Sequence, residues 1–210
     1  MKRIVIVDYG YGNLGSLTRT LAHIGACPIT SADPREVAAA ESLIVPGVGA
    51  FGDGMAELTG RGLCEPILKA AKEKKPLLGI CLGMQFFFER SLEFGEHAGL
   101  GIFKGTVRKI SIAKKPFCKV PHIGWSALLP SSGASWQGTI LDGIPRGKEA
   151  YFVHSYAGYA EDSSAILAQT EYCDSIFPSV ISAGTTVGVQ FHPEKSAEMG
   201  IHILRNFASW

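Results

Sequence analysis

The stretch Pro76-Leu77-Leu78-Gly79-Ile80-Cys81-Leu82-Gly83 decides the fold. A short apolar strand runs into a turn with glycine on both shoulders, and a helix begins just after it. So tight a turn needs residues without side chains at those shoulders. It lifts Cys81 out of the sheet and aims it at whatever lies above the strand ends, the arrangement of a nucleophile elbow. A helix N-terminus beside the thiol favours the thiolate, because unpaired N–H groups and the helix dipole point there. The helix is expected to run to about Glu89.

Upstream of the elbow, apolar strands alternate with amphipathic helices. Lys2–Val7, Cys27–Thr30, Ser42–Val45 and Pro76–Ile80 read as strands. Asn13 is placed to cap a helix with Leu14, Leu17, Leu21 and Ile24 at helical spacing and Gly25 at its end. Asp33 and Pro34 begin a second, short helix. A helical region broken near Gly60–Gly62 fills the span to Lys74. Such alternation means a parallel sheet with helices on both faces, whose sites form at the carboxyl ends of the strands. Both glycine-rich loops, 46–49 and 79–83, fall at such ends.

Downstream the pattern changes. From Leu100 to Val153 short strands are punctuated by Gly105, Pro116, Pro121, Gly133 and Pro145. Ala165–Thr170, Ser179–Ala183 and Thr186–Phe191 read as further strands. Ala197–Ser209 reads as a closing helix with Met199, Ile203, Leu204 and Phe207 inward. The expected fold is α/β: a mostly parallel central sheet flanked by helices, with an antiparallel extension, in one domain over residues 1–210.

Composition narrows the setting. A hydrophobic fraction of 46% with 19% charged residues is that of a soluble globular chain. A net charge of +1 gives no electrostatic reason to expect nucleic acid or an anionic membrane as partner. The five cysteines are odd in number and none has CxxC spacing. Neither a disulfide framework nor a zinc site is expected, and a reducing cytoplasm is the expected compartment. Cys27, Cys64, Cys118 and Cys173 lack glycine flanks and read as small buried hydrophobes. The apolar start, Met1 to Asp8, reads as a first strand and not as a signal peptide.

A nucleophilic thiolate needs a base. His192 follows the apolar run Val187-Gly188-Val189-Gln190-Phe191 and precedes Pro193-Glu194. A strand end delivers it to the same sheet edge as the elbow, and Glu194 is placed to hold its far ring nitrogen. The oxyanion needs donors. The N–H of Leu82 is one by geometry, and Val48 and Gly49 in Pro46-Gly47-Val48-Gly49 are the others. That loop lacks the GxGxxG pattern, so a dinucleotide reading is weak.

Three segments, Pro46-Gly47-Val48-Gly49, Gly79-Ile80-Cys81-Leu82-Gly83-Met84-Gln85 and Gln190-Phe191-His192-Pro193-Glu194, resemble in order and spacing the class I glutamine amidotransferase family, whose architecture is flavodoxin-like. Asp8–Asn13, Lys119–Trp125, Tyr151–Tyr156 and His192–Ser196 narrow the likeness to the glutaminase subunits of imidazole glycerol phosphate synthase. The resemblance implies that a Cys81–His192–Glu194 triad hydrolyses glutamine to glutamate and ammonia. It implies that Gly47, Gly49, Gln85, Ser155 and Tyr156 bind the substrate. It implies a heterodimer with a cyclase subunit that receives the ammonia and forms imidazole glycerol phosphate and an aminoimidazole carboxamide ribotide. Asn13, Pro121, His122, Ile123, Gly124, Trp125 and Lys195 would line the joining surface and the ammonia passage. No cofactor and no metal is expected.

Some positions depart from the family. Ser126 stands where asparagine is usual, Ile123 where methionine is usual, and Phe86-Phe87-Phe88 where leucines are usual, a repacking expected on the elbow helix. From its residues alone, the Lys119–Trp125 segment is equally an ordinary turn with Trp125 in the core. His122 and His154 lack a fixed acid neighbour and read as interface or site-lining groups. Two alternatives remain open at this point. One is a paralogous subunit feeding ammonia to another synthase, such as a surface-sugar amidotransferase. The other is a stand-alone cysteine γ-glutamyl hydrolase.

Overall fold

A computed structural model describes residues 3–112 and 118–210; Lys2 and Pro116, named above, lie outside them. The first half alternates as the periodicity requires: β1 (Arg3–Val7), α1 (Leu14–His23), β2 (Cys27–Ser31), α2 (Pro34–Ala39), β3 (Leu43–Val45), α3 (Phe51–Gly60), α4 (Cys64–Lys72) and β4 (Leu77–Ile80). Leu17 and Leu21 bury the inner stripe of α1. The Asp33 side chain caps α2 by accepting from Arg35 N at 2.8 Å. Asn13 precedes α1 but makes no side-chain capping bond, contrary to expectation.

The elbow helix is shorter than its sequence suggests. α5 (Leu82–Gln85) is a single turn, and β5 (Phe88–Ser91) begins where a helix to Glu89 was expected. Phe86, Phe87 and Phe88 are all fully buried, which one helical face cannot arrange. Leaving the helix lets the rings diverge. Phe86 packs edge-on against Tyr9 and Phe51, and Phe87 and Phe88 pack against Phe103.

The rest of the chain adds β6 (His97–Ala98), β7 (Phe103–Lys109), β8 (His122–Ala127), β9 (Leu129–Pro130), β10 (Glu149–His154), β11 (Tyr156–Ala160), β12 (Ile166–Tyr172), β13 (Ser175–Ala183), β14 (Thr186–Val189) and α6 (Ala197–Ser209). The central sheet runs β2-β1-β3-β4-β14-β13-β12-β9. Its pairs from β2 to β14 are parallel, and those from β14 to β9 are antiparallel. This is the mostly parallel sheet with an antiparallel extension that the sequence implies. β10 pairs with β8, and β11-β7-β5-β6 form a third layer. Met199, Ile203, Leu204 and Phe207 bury the inner face of α6. Among the described residues no helix is long and apolar enough to cross a membrane.

The cysteine expectation is corrected. Cys118 and Cys173, read as free, form a disulfide across 55 residues with their Cα atoms 5.7 Å apart. The hairpin between β12 and β13 carries Cys173 back beside the segment that leads into β8, where Tyr172 Oη also donates to Lys119 O at 2.9 Å. Such a pairing is a product of topology and leaves no trace in local spacing. It removes the support that unpaired cysteines lent to a reducing compartment. Cys27 is exposed, Cys64 is half-buried, and Cys81 is the buried free thiol.

Candidate active site

β4 and β14 are parallel neighbours, with Ile80 opposite Val189. Their carboxyl ends therefore deliver Cys81 and His192 to one place, and Cys81 N donates to Val189 O at 2.8 Å. Cys81 has φ 54° and ψ −109°, a conformation that residues with a Cβ seldom adopt. Strain of this kind persists only where the surroundings enforce it. Gly83 shows how they do so: a Cβ there would run into the Val45 carbonyl oxygen. We expect Gly83→Ala to force β3 and α5 apart and destabilise the chain by about 3 kcal/mol or more. Chemical denaturation checks this, and an unchanged midpoint would mean the elbow can breathe.

His192 Nδ1 donates to Glu194 Oε1 at 2.9 Å, and both side chains are buried. The loop that holds them is anchored to β10: His192 N donates to Tyr151 O at 2.9 Å, and Ser196 Oγ donates to His192 O at 2.7 Å. Nε2 of His192 is buried and makes no hydrogen bond among the described residues, yet the Cys81 sulfur is close enough to act on the ring's protonation. Burial opposes the charged ring, but Cys81 and Glu194 outweigh it and push the His192 pKa up to about 10.

A cavity of about 280 Å³ opens over the sulfur, lined by Val48, Gly49, Cys81, Leu82, Gln85 and Glu93 on one side and by Pro121, Val153, His154, Ser155 and Tyr156 on the other. Gln85 Nε2 donates to Tyr156 O at 2.8 Å and to Gln190 Oε1 at 3.0 Å. Both amide hydrogens of Gln85 are thus committed to the protein, and its carbonyl oxygen is the polar atom left for a ligand. Gly49 has φ +106°, which suits glycine at this wall.

Of the residues singled out from sequence, Gly47 lies elsewhere. It lines a narrow crevice behind the triad together with Asn13, Pro46, His192 and Glu194. A Cβ on Gly47 would meet the Tyr9 hydroxyl and come within 2.9 Å of Leu82 Cβ. Close packing, and not contact with a ligand in the cavity, explains this glycine. Pro121 lines the cavity itself. His122 is only 1% exposed and cannot be a surface contact. Side chains alternate across a strand, so Ile123 and Trp125 face outward at 59% and 49% exposure while His122 points in. Trp125 is therefore not a core residue. Its ring meets Tyr151 edge-on at 6.0 Å, and Lys195 Nζ lies 5.8 Å from the centre of the Tyr151 ring, so the half-buried Tyr151 lies between the exposed Trp125 and Lys195. Gly124 lies between the two exposed side chains on β8. Ser126 also belongs to the inner set, 2.9 Å from His122 Nε2, so its departure from asparagine bears on the interior.

Sequence reading missed Gln190 and Glu93. Gln190 Nε2 donates to Cys81 Sγ at 3.7 Å. An amide in an otherwise apolar strand end was its signal. Glu93 lines the cavity and accepts from Phe51 N, the first residue of α3, at 2.7 Å; nothing in its neighbourhood in the chain marks it.

A buried Cys–His–Glu set at the strand ends of a flavodoxin-like sheet defines a class I glutamine amidotransferase, and the family model described as glutamine amidotransferase class-I matches residues 5–209. The chain is 42% identical over 210 residues to imidazole glycerol phosphate synthase subunit HisH 1 of Legionella pneumophila (strain Lens), covering 99% of each chain. It is 43% identical over 206 residues to subunit HisH of Aquifex aeolicus, covering 98% of this chain and 95% of that one. The chain belongs to the HisH family of class I glutamine amidotransferases. A solved structure described as a glutamine amidotransferase superposes with a TM-score of 0.71 at 18% identity, covering 98% of this chain and 99% of the other. PurLQS from Thermotoga maritima gives 0.70 at 19%, covering 99% and 98%. At those identities the likeness concerns the fold alone.

Proposed function

We propose that this chain hydrolyses glutamine to glutamate and ammonia and passes the ammonia to a cyclase subunit, together forming imidazole glycerol phosphate synthase. The observation that carries the reading is Cys81, held at positive φ on the wall of a small cavity with the buried His192–Glu194 pair beside it. The whole chain, residues 1–210, acts in this reading as one catalytic domain.

His192 takes the Cys81 proton, and the sulfur attacks the side-chain amide carbon of glutamine. The C–O π electrons move onto oxygen, where the N–H groups of Leu82 and of the Val48–Gly49 segment receive the oxyanion. His192 Nε2–H protonates the leaving nitrogen, the C–N bond breaks, and ammonia departs from a γ-glutamyl thioester. Water then loses a proton to His192, adds to the thioester and releases glutamate, and the thiol is restored. Glu194 keeps Nδ1 protonated, so Nε2 is always the nitrogen that exchanges protons. Gln85, Gly49, Ser155 and Tyr156 hold the amino-acid end.

The exposed Ile123 and Trp125, with Lys195 beside the Tyr151 ring that Trp125 meets, support a protein partner, since exposed aromatic and apolar side chains beside a cation are typical anchors of such surfaces. Glutaminase assays with and without the cyclase and its nucleotide ligand test the reading. Activity is expected to be weak alone and to rise steeply in the complex. Trp125→Ala is expected to weaken complex formation by about 2 kcal/mol, roughly thirtyfold, with the thermal midpoint of the isolated chain unchanged. Equal glutaminase activity with and without the partner would support a stand-alone hydrolase instead.

A further inference from the structure

We propose that His122 and His154 are positioning residues. Through one directed chain of hydrogen bonds they hold the Tyr156 carbonyl at the wall of the glutamine pocket and tie that wall to β8. The inference rests on reading the cavity as the glutamine site.

The direction of the chain follows from its last link. His154 Nδ1 lies 2.9 Å from Tyr156 O. A carbonyl only accepts, so Nδ1 carries the hydrogen and donates. In the neutral ring Nε2 is then an acceptor, and it takes a hydrogen from His122 Nδ1 at 3.1 Å. His122 Nε2 is an acceptor in turn and receives the Ser126 hydroxyl at 2.9 Å. Every polar atom of the two rings is used, and no other tautomer satisfies all three links. Burial keeps both rings neutral, holding the His122 pKa down to about 4 and that of His154 to about 3.

The far end of the chain is already occupied on its other side. Tyr156 O also accepts from Gln85 Nε2 at 2.8 Å. A carbonyl oxygen with both lone pairs engaged cannot rotate without breaking two bonds. The rings cannot drift either. His122 stacks on Tyr172 at 4.0 Å and on Phe152 at 5.0 Å, and His154 meets Phe177 edge-on at 4.8 Å.

Neither imidazole makes a hydrogen bond to Cys81 or His192, so bond breaking does not call for them. Two buried imidazoles are an expensive way to fill an aromatic layer that phenylalanine would fill, unless their directionality is used. Its use is a fixed pocket wall. The outward residues of the same strand, Ile123 and Trp125, alternate with His122 and Ser126, so a displacement of β8 is felt at Tyr156.

The test uses the assembled complex with the cyclase. His122→Phe keeps the stacking and removes the chain of bonds. It is expected to raise the KM for glutamine about tenfold with kcat within about twofold of wild type. His122→Asn places an amide N–H near the Nδ1 position and should restore KM to within about threefold. Inactivation by a glutamine-analogue electrophile should slow about tenfold in His122→Phe, while iodoacetamide, which needs no amino-acid pocket, should alkylate Cys81 at the wild-type rate. If His122→Phe does not fold, Ser126→Ala at a half-exposed position serves, with an expected rise in KM of about threefold. An unchanged KM in a folded variant, or equal slowing with both reagents, overturns the inference. A wild-type complex without glutamine turnover overturns the functional reading and this inference with it. Normal wild-type turnover with unaffected variants overturns this inference alone.

Discussion

Cys81→Ala is expected to abolish glutamine-dependent synthesis, a loss on the order of 10⁴-fold or more, while synthesis from added ammonium proceeds at the wild-type rate. The substitution is clean for a geometric reason. Alanine has the same Cβ as cysteine and suffers the same strain at φ 54°, so the elbow keeps its shape. Only the sulfur disappears, and with it weak contacts to Val153 O at 3.9 Å and Gln190 Nε2 at 3.7 Å. The His192–Glu194 pair and the outer face of β8 stay in place, so a partner docked there should still bind. The measurement is product formation by the complex with each nitrogen source. Should ammonium-dependent synthesis vanish as well with the complex intact, the division of labour between the chains is wrong.

His192→Asn has the next largest effect, a fall of about 10³- to 10⁴-fold in glutamine turnover. Here too the backbone is secured independently of the side chain, through Tyr151 O and Ser196 Oγ. The same variant carries a stability signature. The ring has an ordinary value of 6.5 and is pushed up to about 10 in the folded chain, burial being outweighed by Cys81 and Glu194. A raised value means that the folded state holds the proton more tightly than the unfolded chain. The stabilisation is therefore complete below about pH 6.5 and is lost as pH rises through about 10. Thermal unfolding across that range should show a decline in wild type that is shallower in His192→Asn. Equal slopes would mean that the imidazole is not the source of the decline.

Much of this was legible in the chain because parallel α/β sheets obey strong local rules. Apolar runs between amphipathic helices placed β1 to β4, and glycine on both sides of Cys81 marked the strained turn. The run into His192 placed that residue at a strand end beside the elbow. What was not legible depends on partners distant in sequence. A single-turn α5 is chosen by three phenylalanines that need different neighbours, Tyr9 and Phe51 for one and Phe103 for the others. The Cys118–Cys173 pairing depends on where a hairpin folds back. His122 reads as an interface or site-lining group from the segment it belongs to. Only the register of β8 against β10, with His122 opposite His154, turns it inward. The resemblance implies a ligand contact for Gly47, yet its own need is for close packing.

The alternation along β8 has a consequence for how such proteins diversify. One strand serves two masters at alternate positions: Ile123 and Trp125 meet whatever lies outside, and His122 and Ser126 are bonded to each other on the inner side. Substitutions at 123 and 125 can therefore accumulate on the outer face without touching the buried side chains at 122 and 126. An insertion or deletion of one residue between 122 and 126 has no such freedom, because it exchanges the two sets wholesale. Relatives should differ here by replacement and keep the strand's length.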